Sequence, residues 1–152
     1  YRYYENKEQL YYAIIGPVYN RLIELVKECF HYKMTHDENS FLDFLTDRIL
    51  ENSKQHGMEM GILLNGSKGT KYEHAKEDVI TLVEGFAKQI VTRNQDIKNM
   101  TLKYDYLCRV VAYLLIEGIS MIMCHFEDEE QAREATRLFV TFYLKDAVNR
   151  IQ

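Results

Sequence analysis

The sequence predicts an all-α protein of about six helices, and three observations carry that expectation. One proline and seven glycines in 152 residues are too few for the many tight turns of an all-β protein. Apolar residues recur at i+3 and i+4 through most of the chain, the period of a helix that buries one face. The most hydrophobic run, Val110 to Cys124, is interrupted by Glu117 and Ser120. It falls short of the ~20 largely apolar residues of a membrane span, so it reads as a helix covered by protein, and no membrane partner is expected.

The first helix opens at Asn6, a good N-cap, with Gln9 placed to close a capping box. Leu10, Ile14, Val18, Leu22 and Val26 then recur at i+4, and the helix is expected to end near Tyr32. Gly16-Pro17 lies inside it, where a proline removes one backbone hydrogen bond and bends a helix at a cost of ~3 kcal/mol. A second helix is expected from a cap at Asn39 or Ser40, burying Phe41, Leu42, Leu45, Ile49 and Leu50 and ending at His56-Gly57. Met58 to Leu64 forms one or two turns before the glycine-containing loop 65–69. The fourth helix spans about Lys71 to Asn94, with Val79, Val83, Phe86 and Ile90 inward.

The fifth helix, about Leu102 to His125, is apolar nearly all round, so it must be covered on several sides. The sixth opens in the acidic run Glu127 to Glu130, suited to the positive end of a helix dipole. Its apolar stripe is read as Ala132, Ala135, Leu138, Phe139, Phe142 and Val148.

Composition excludes several classes. With 47% hydrophobic and 28% charged residues the chain is globular rather than disordered. A net charge of −4 and the lack of a basic stripe argue against DNA binding by this chain alone. Cys29, Cys108 and Cys124 are scattered and form no CxxC pair, so a reducing cytoplasm is expected. No signal peptide is recognised.

Catalytic and metal motifs are sparse. There is no GxSxG, no P-loop and no Cys-His signature, so no enzymatic activity is expected. The loop Asn65-Gly66-Ser67-Lys68-Gly69 lacks P-loop spacing and reads as an interhelical turn. Glu28-x-x-His31 has the spacing used in di-iron bundles, but such sites need two motifs and further carboxylates, and only one is present. His31, His36, His56, His74 and His125 lie mostly near helix ends. Neither a metal nor a cofactor is expected.

The segment YRYYENKEQL carries a resemblance. Tyr1, Tyr4, Lys7 and Leu10 are similar in order and spacing to the end of the TetR-family DNA-binding head and the start of its connecting helix. The phrase ILLNGSKGTKYE between helices, and the two final apolar helices, also resemble the body of that family. Beyond about ten residues the likeness is one of pattern, because effector domains vary widely. The resemblance implies a TetR-like C-terminal helical domain whose last two helices form a dimeric four-helix bundle. Residues 1–10 would be a remnant of the head and the start of the connecting helix, and 11–152 the regulatory ligand-binding and dimerisation domain. It implies a repressor, a homodimer that meets operator DNA through a helix-turn-helix head upstream of Tyr1, and an unidentified small-molecule effector. A helical-bundle metal protein or enzyme, or a plain helical interaction module, is the alternative.

Site residues follow as expectations. Tyr1, Tyr4 and Lys7 would touch DNA phosphates, as a hydroxyl or ammonium near a helix N-terminus can. An effector cavity would be bordered by Leu22, Val26, Phe41, Leu45, Met58, Ile62, Phe86, Tyr113 and Glu117. Tyr104, Tyr106 and Tyr113 suit a ligand pocket, an ordinary core or a dimer interface equally. Glu117 is costly to bury unpaired and would face a cationic ligand, a basic residue across the dimer, or water. The dimer interface would use Gly118, Ile122, Ala135, Leu138, Phe139 and Phe142, with Gly118 letting backbones approach. Gly16-Pro17 is either a hinge between head and body or a static kink that wraps the helix around the core.

Overall fold

The computed structural model describes residues 5–94 and 102–146. They form five α-helices: α1 (Lys7–Thr35), α2 (Glu38–Asn65), α3 (Ala75–Asn94), α4 (Leu102–His125) and α5 (Glu129–Val140). A π-helical segment, Thr141–Asp146, continues from α5. Val148 lies outside the described residues.

Capping chemistry sets most of the helix boundaries. Asn6 accepts from the Gln9 amide at 2.9 Å, as expected of an N-cap, while the Gln9 side chain accepts from the Glu5 amide at 3.1 Å. The box therefore closes one residue before the cap. α1 runs a turn beyond Tyr32, and the His36 amide donates to the Tyr32 carbonyl at 3.1 Å. The cap of α2 is Asp37 rather than Asn39 or Ser40: its carboxylate accepts from the Ser40 amide at 3.1 Å. A carboxylate is the better acceptor at the positive end of a helix, and hydrogen bonds from Ser40 hold the Asp37 carboxyl below its ordinary range. Asp128 caps α5 through the Gln131 amide at 2.9 Å.

The second and third expected helices are one element with a break. At His56 (φ −140°, ψ 23°) α2 leaves helical geometry and then resumes. Residues 71–74 are turns, so α3 starts at Ala75, later than the expected Lys71. Between them, the Gly66 amide closes on the Ile62 carbonyl at 2.8 Å, and Gly69 adopts φ +80°, which only glycine takes without strain.

Neighbouring helices pair antiparallel, and their ion pairs trace the register. Arg48 on α2 meets Glu28 on α1 at 2.6 Å. Arg137 meets Asp43 at 3.0 Å, Arg133 meets Asp47, and Lys54 meets Glu129 at 3.6 Å, a ladder between α2 and α5. α3 and α4 are joined by Arg109 to Glu77 and Glu84, and by Lys76 to Glu117. α3 follows α1 in the same direction: Tyr19 bonds Asp78, and Phe30 stacks on Phe86 with centroids 4.1 Å apart.

Two buried clusters anchor the fold. Leu25, Cys29, Phe41, Leu42, Leu45, Ile49 and Val140 join α1, α2 and α5. Ile15, Val18, Met60, Leu63 and Ala75 join the opening half of α1 to the end of α2 and the start of α3.

Candidate functional site

Between these clusters and the α3–α4 hairpin lies a cavity of about 670 Å³, within the size range of small-molecule sites. α1 contributes Leu22, Val26, Cys29 and Phe30; α2 contributes Phe41, Leu45, Ile49, Asn52, Ser53 and Met60. α3 adds Val83, Phe86 and Ile90, and α4 adds Leu107, Val111, Leu115, Ile119 and Met123. The π-helical segment turns Tyr143 and Leu144 toward the same space. Tyr143 donates its hydroxyl to the Val111 carbonyl at 3.2 Å, and burial pushes its pKa up.

The expected pocket residues divide. Leu22, Val26, Phe41, Leu45 and Phe86 line the cavity. Met58 (81% exposed), Ile62 and Tyr113 face outward instead. The second part of α2 keeps the phase of the first: the inward stripe Leu45, Ile49 passes through Asn52 and Ser53 to Met60 and Leu63. Those intervening positions are polar, so reading apolar residues alone selects Met58 and Ile62 on the wrong face. Glu117 is half-buried and paired with Lys76 of the same chain, so neither a ligand nor a partner subunit is needed to satisfy it. Tyr106 is exposed, and the Tyr104 side chain lies outside the described residues.

The expected dimer residues divide as well. A Cβ built on Gly118 would overlap the Phe139 ring, so the close approach is between α4 and α5 of one chain. Phe139 packs on the α1–α2–α5 cluster and stacks on Tyr143. Ile122 and Ala135 are half-buried, whereas Leu138 (65%) and Phe142 (71%) are exposed. The buried face of α5 is Ala132, Thr136 and Val140: it shares Ala132 with the expected stripe and then runs through Thr136 and Val140 rather than Ala135 and Leu138. Exposed apolar residues also run along α4: Tyr106, Tyr113, Leu114 and Met121 (70%). The stretch Asp105–His125 is long and apolar enough to cross a membrane, longer than the run judged from sequence. The cover expected on several sides is not supplied within the described residues, since only 11% of this stretch is buried, although the pairs of Arg109 and Glu117 bind it to α3.

Tyr1 and Tyr4 lie outside the described residues, and Lys7 is exposed in the first turn of α1. α1 continues through Gly16-Pro17. Gly16 is buried with the Tyr72 hydroxyl 3.0 Å from where a Cβ would stand, and Pro17 faces solvent. This end of α1 is fastened by tyrosines: Tyr11 hydrogen-bonds Ser67, whose hydroxyl donates to the Leu63 carbonyl at 2.8 Å, and Lys71 lies over the Tyr12 ring. Glu28 of the ExxH spacing is engaged by Arg48, and His31 is exposed.

Against models of protein families, curated proteins and solved structures, the chain gives no match.

Proposed function

We propose that the chain is the effector-binding and dimerisation body of a TetR-like, ligand-responsive repressor in the cytoplasm, joined ahead of α1 to a DNA-binding head. The cavity carries this reading. It is apolar with few polar groups, and α1, the helix that would lead to the head, forms one of its walls through Leu22, Val26 and Phe30. A ligand filling it would touch α1 directly. Direct contact supplies the differential interaction that coupling two sites requires. Lys7, exposed where α1 begins, suits a phosphate contact that positions a head without reading sequence.

Dimerisation is supported by the outer face of α4 and α5. Leu114 and Phe142 fall near the same level of this antiparallel pair, with Met121 and Leu138 beyond them, all exposed. Two copies related by a two-fold axis would cover these residues in a four-helix bundle. Light scattering at micromolar concentration should report a dimer, and the double variant Leu114→Glu, Met121→Glu a helical monomer. A wild-type monomer removes the dimer from the proposal.

The function itself is tested on the full-length parent. Sequence selection from random duplex DNA should recover a palindromic site with half-sites about one turn apart, and a cavity ligand should weaken that binding. Failure to select any DNA refutes the regulator reading.

A further inference from the structure

One acceptor in the cavity wall is left without a partner among the described residues. Asn52 stands on the inward stripe of α2 between Ile49 and Met60, and its Oδ1 is buried without a hydrogen-bond partner among the described residues. A buried acceptor left unpaired forfeits the hydrogen bond it had with water, a cost that an apolar side chain there would not carry. Most of the lining is apolar, Leu22, Val83, Leu115 and Ile119 among it, and the hydroxyls of Ser53 and Ser120, which also border the cavity, do not bond this oxygen.

We infer that the cavity takes a neutral, elongated lipophile carrying one hydrogen-bond donor, such as a long-chain alcohol or a secondary amide, with the donor on Asn52. This rests on the effector-cavity reading above and specifies the ligand's chemistry. Neutrality follows from where the charges are. The charged lining residues, Lys33, Glu38 and Glu127, all sit at helix ends: the last turn of α1, the first turn of α2 and the turn before α5. The wall between them is apolar, and an ion buried there would lack a counter-ion. The Cys29 thiol, in the same wall, is pushed up to about 12, chiefly by burial, so this environment opposes charge. An unpartnered acceptor in a largely apolar wall fixes the orientation of a ligand that is apolar elsewhere.

The test uses diphenylhexatriene, a hydrocarbon with no donor, as a fluorescent probe of the cavity, displaced in turn by decanol, decyl methyl ether and decyltrimethylammonium. Decanol should compete about tenfold better than the ether, which has the same chain but no donor. In Asn52→Leu the preference for decanol over the ether should fall to about one. Asn52→Ala serves the same purpose if the leucine variant does not fold. Equal competition by alcohol and ether, a preference that survives in the variants, or strongest competition by the cation overturns the inference while leaving the cavity as a binding site. No binding of the probe or any competitor removes the effector cavity and this inference together.

Discussion

On one side of the cavity, Leu25, Leu42, Leu45, Ile49 and Val140 from α1, α2 and α5 pack into a continuous buried cluster. On the other, α3 and α4 fully bury Val79, Ile80, Cys108 and Ala112, and turn most of their remaining inward apolar residues to the cavity. The first side closes on itself by shape. Ion pairs cross both sides, those of the second being Arg109 to Glu84, Lys88 to Asp105 and Lys76 to Glu117. Close packing leaves the buried cluster little room to adjust, whereas side chains that border the cavity have space beside them to accommodate a ligand.

The largest effect should come from truncating the packed side. Leu42 is 1% exposed, and Leu42→Ala should cost ~2–5 kcal/mol by urea denaturation. Leu115→Ala, on the cavity wall, should cost only about 1 kcal/mol, since part of that side chain already borders empty space. Equal losses would erase the distinction between the two sides.

Much of this architecture was legible in the sequence, for local reasons. The Asn6 cap, the interruption at His56-Gly57 and the extent of α4 depend on nearby residues and lie where local chemistry puts them. Facing directions were harder. On α5 the buried face leaves Ala132 through polar Thr136 to Val140, which reading apolar residues alone passes over in favour of Ala135 and Leu138. On α2 the buried stripe passes through polar Asn52 and Ser53, so the residue that gives the cavity its chemistry was hidden by the pattern used to find cavities. Glu117 found its partner on α3, a pairing that periodicity along one helix does not reveal.

A second prediction tests a steric lock between the two sides. With no side chain, Gly118 leaves room for the Phe139 ring, which reaches from α5 against α4. Gly118→Ala should cost ~1–3 kcal/mol through overpacking, despite the better helix propensity of alanine. Adding Phe139→Leu should recover part of the loss. If Gly118→Ala is neutral or stabilising, the two sides are not locked at this point.

The smallest effect separates the charges of the two sides by pH. At Glu84 burial opposes ionisation, but hydrogen bonds from Lys88 and Arg109 outweigh it and hold the carboxyl below its ordinary 4.5. A group depressed on folding stabilises the native state above its unfolded value and loses that contribution as pH falls through its folded value. At pH 7, Glu84→Gln should therefore be less stable than wild type, by about 1 kcal/mol, typical of a modest ion pair. The gap should narrow as pH drops below about 4.5, first as Glu84 of the unfolded chain gains a proton and then through its lower folded value, the glutamine being unchanged. Asp43, paired with Arg137 on the packed side, is 66% exposed, so Asp43→Asn should change stability by only a few tenths of a kcal/mol at either pH. Urea midpoints of the three proteins at pH 7 and pH 4 decide the matter: a gap for Glu84→Gln that stays constant with pH would mean that α4 is held to α3 by packing, as the other side is.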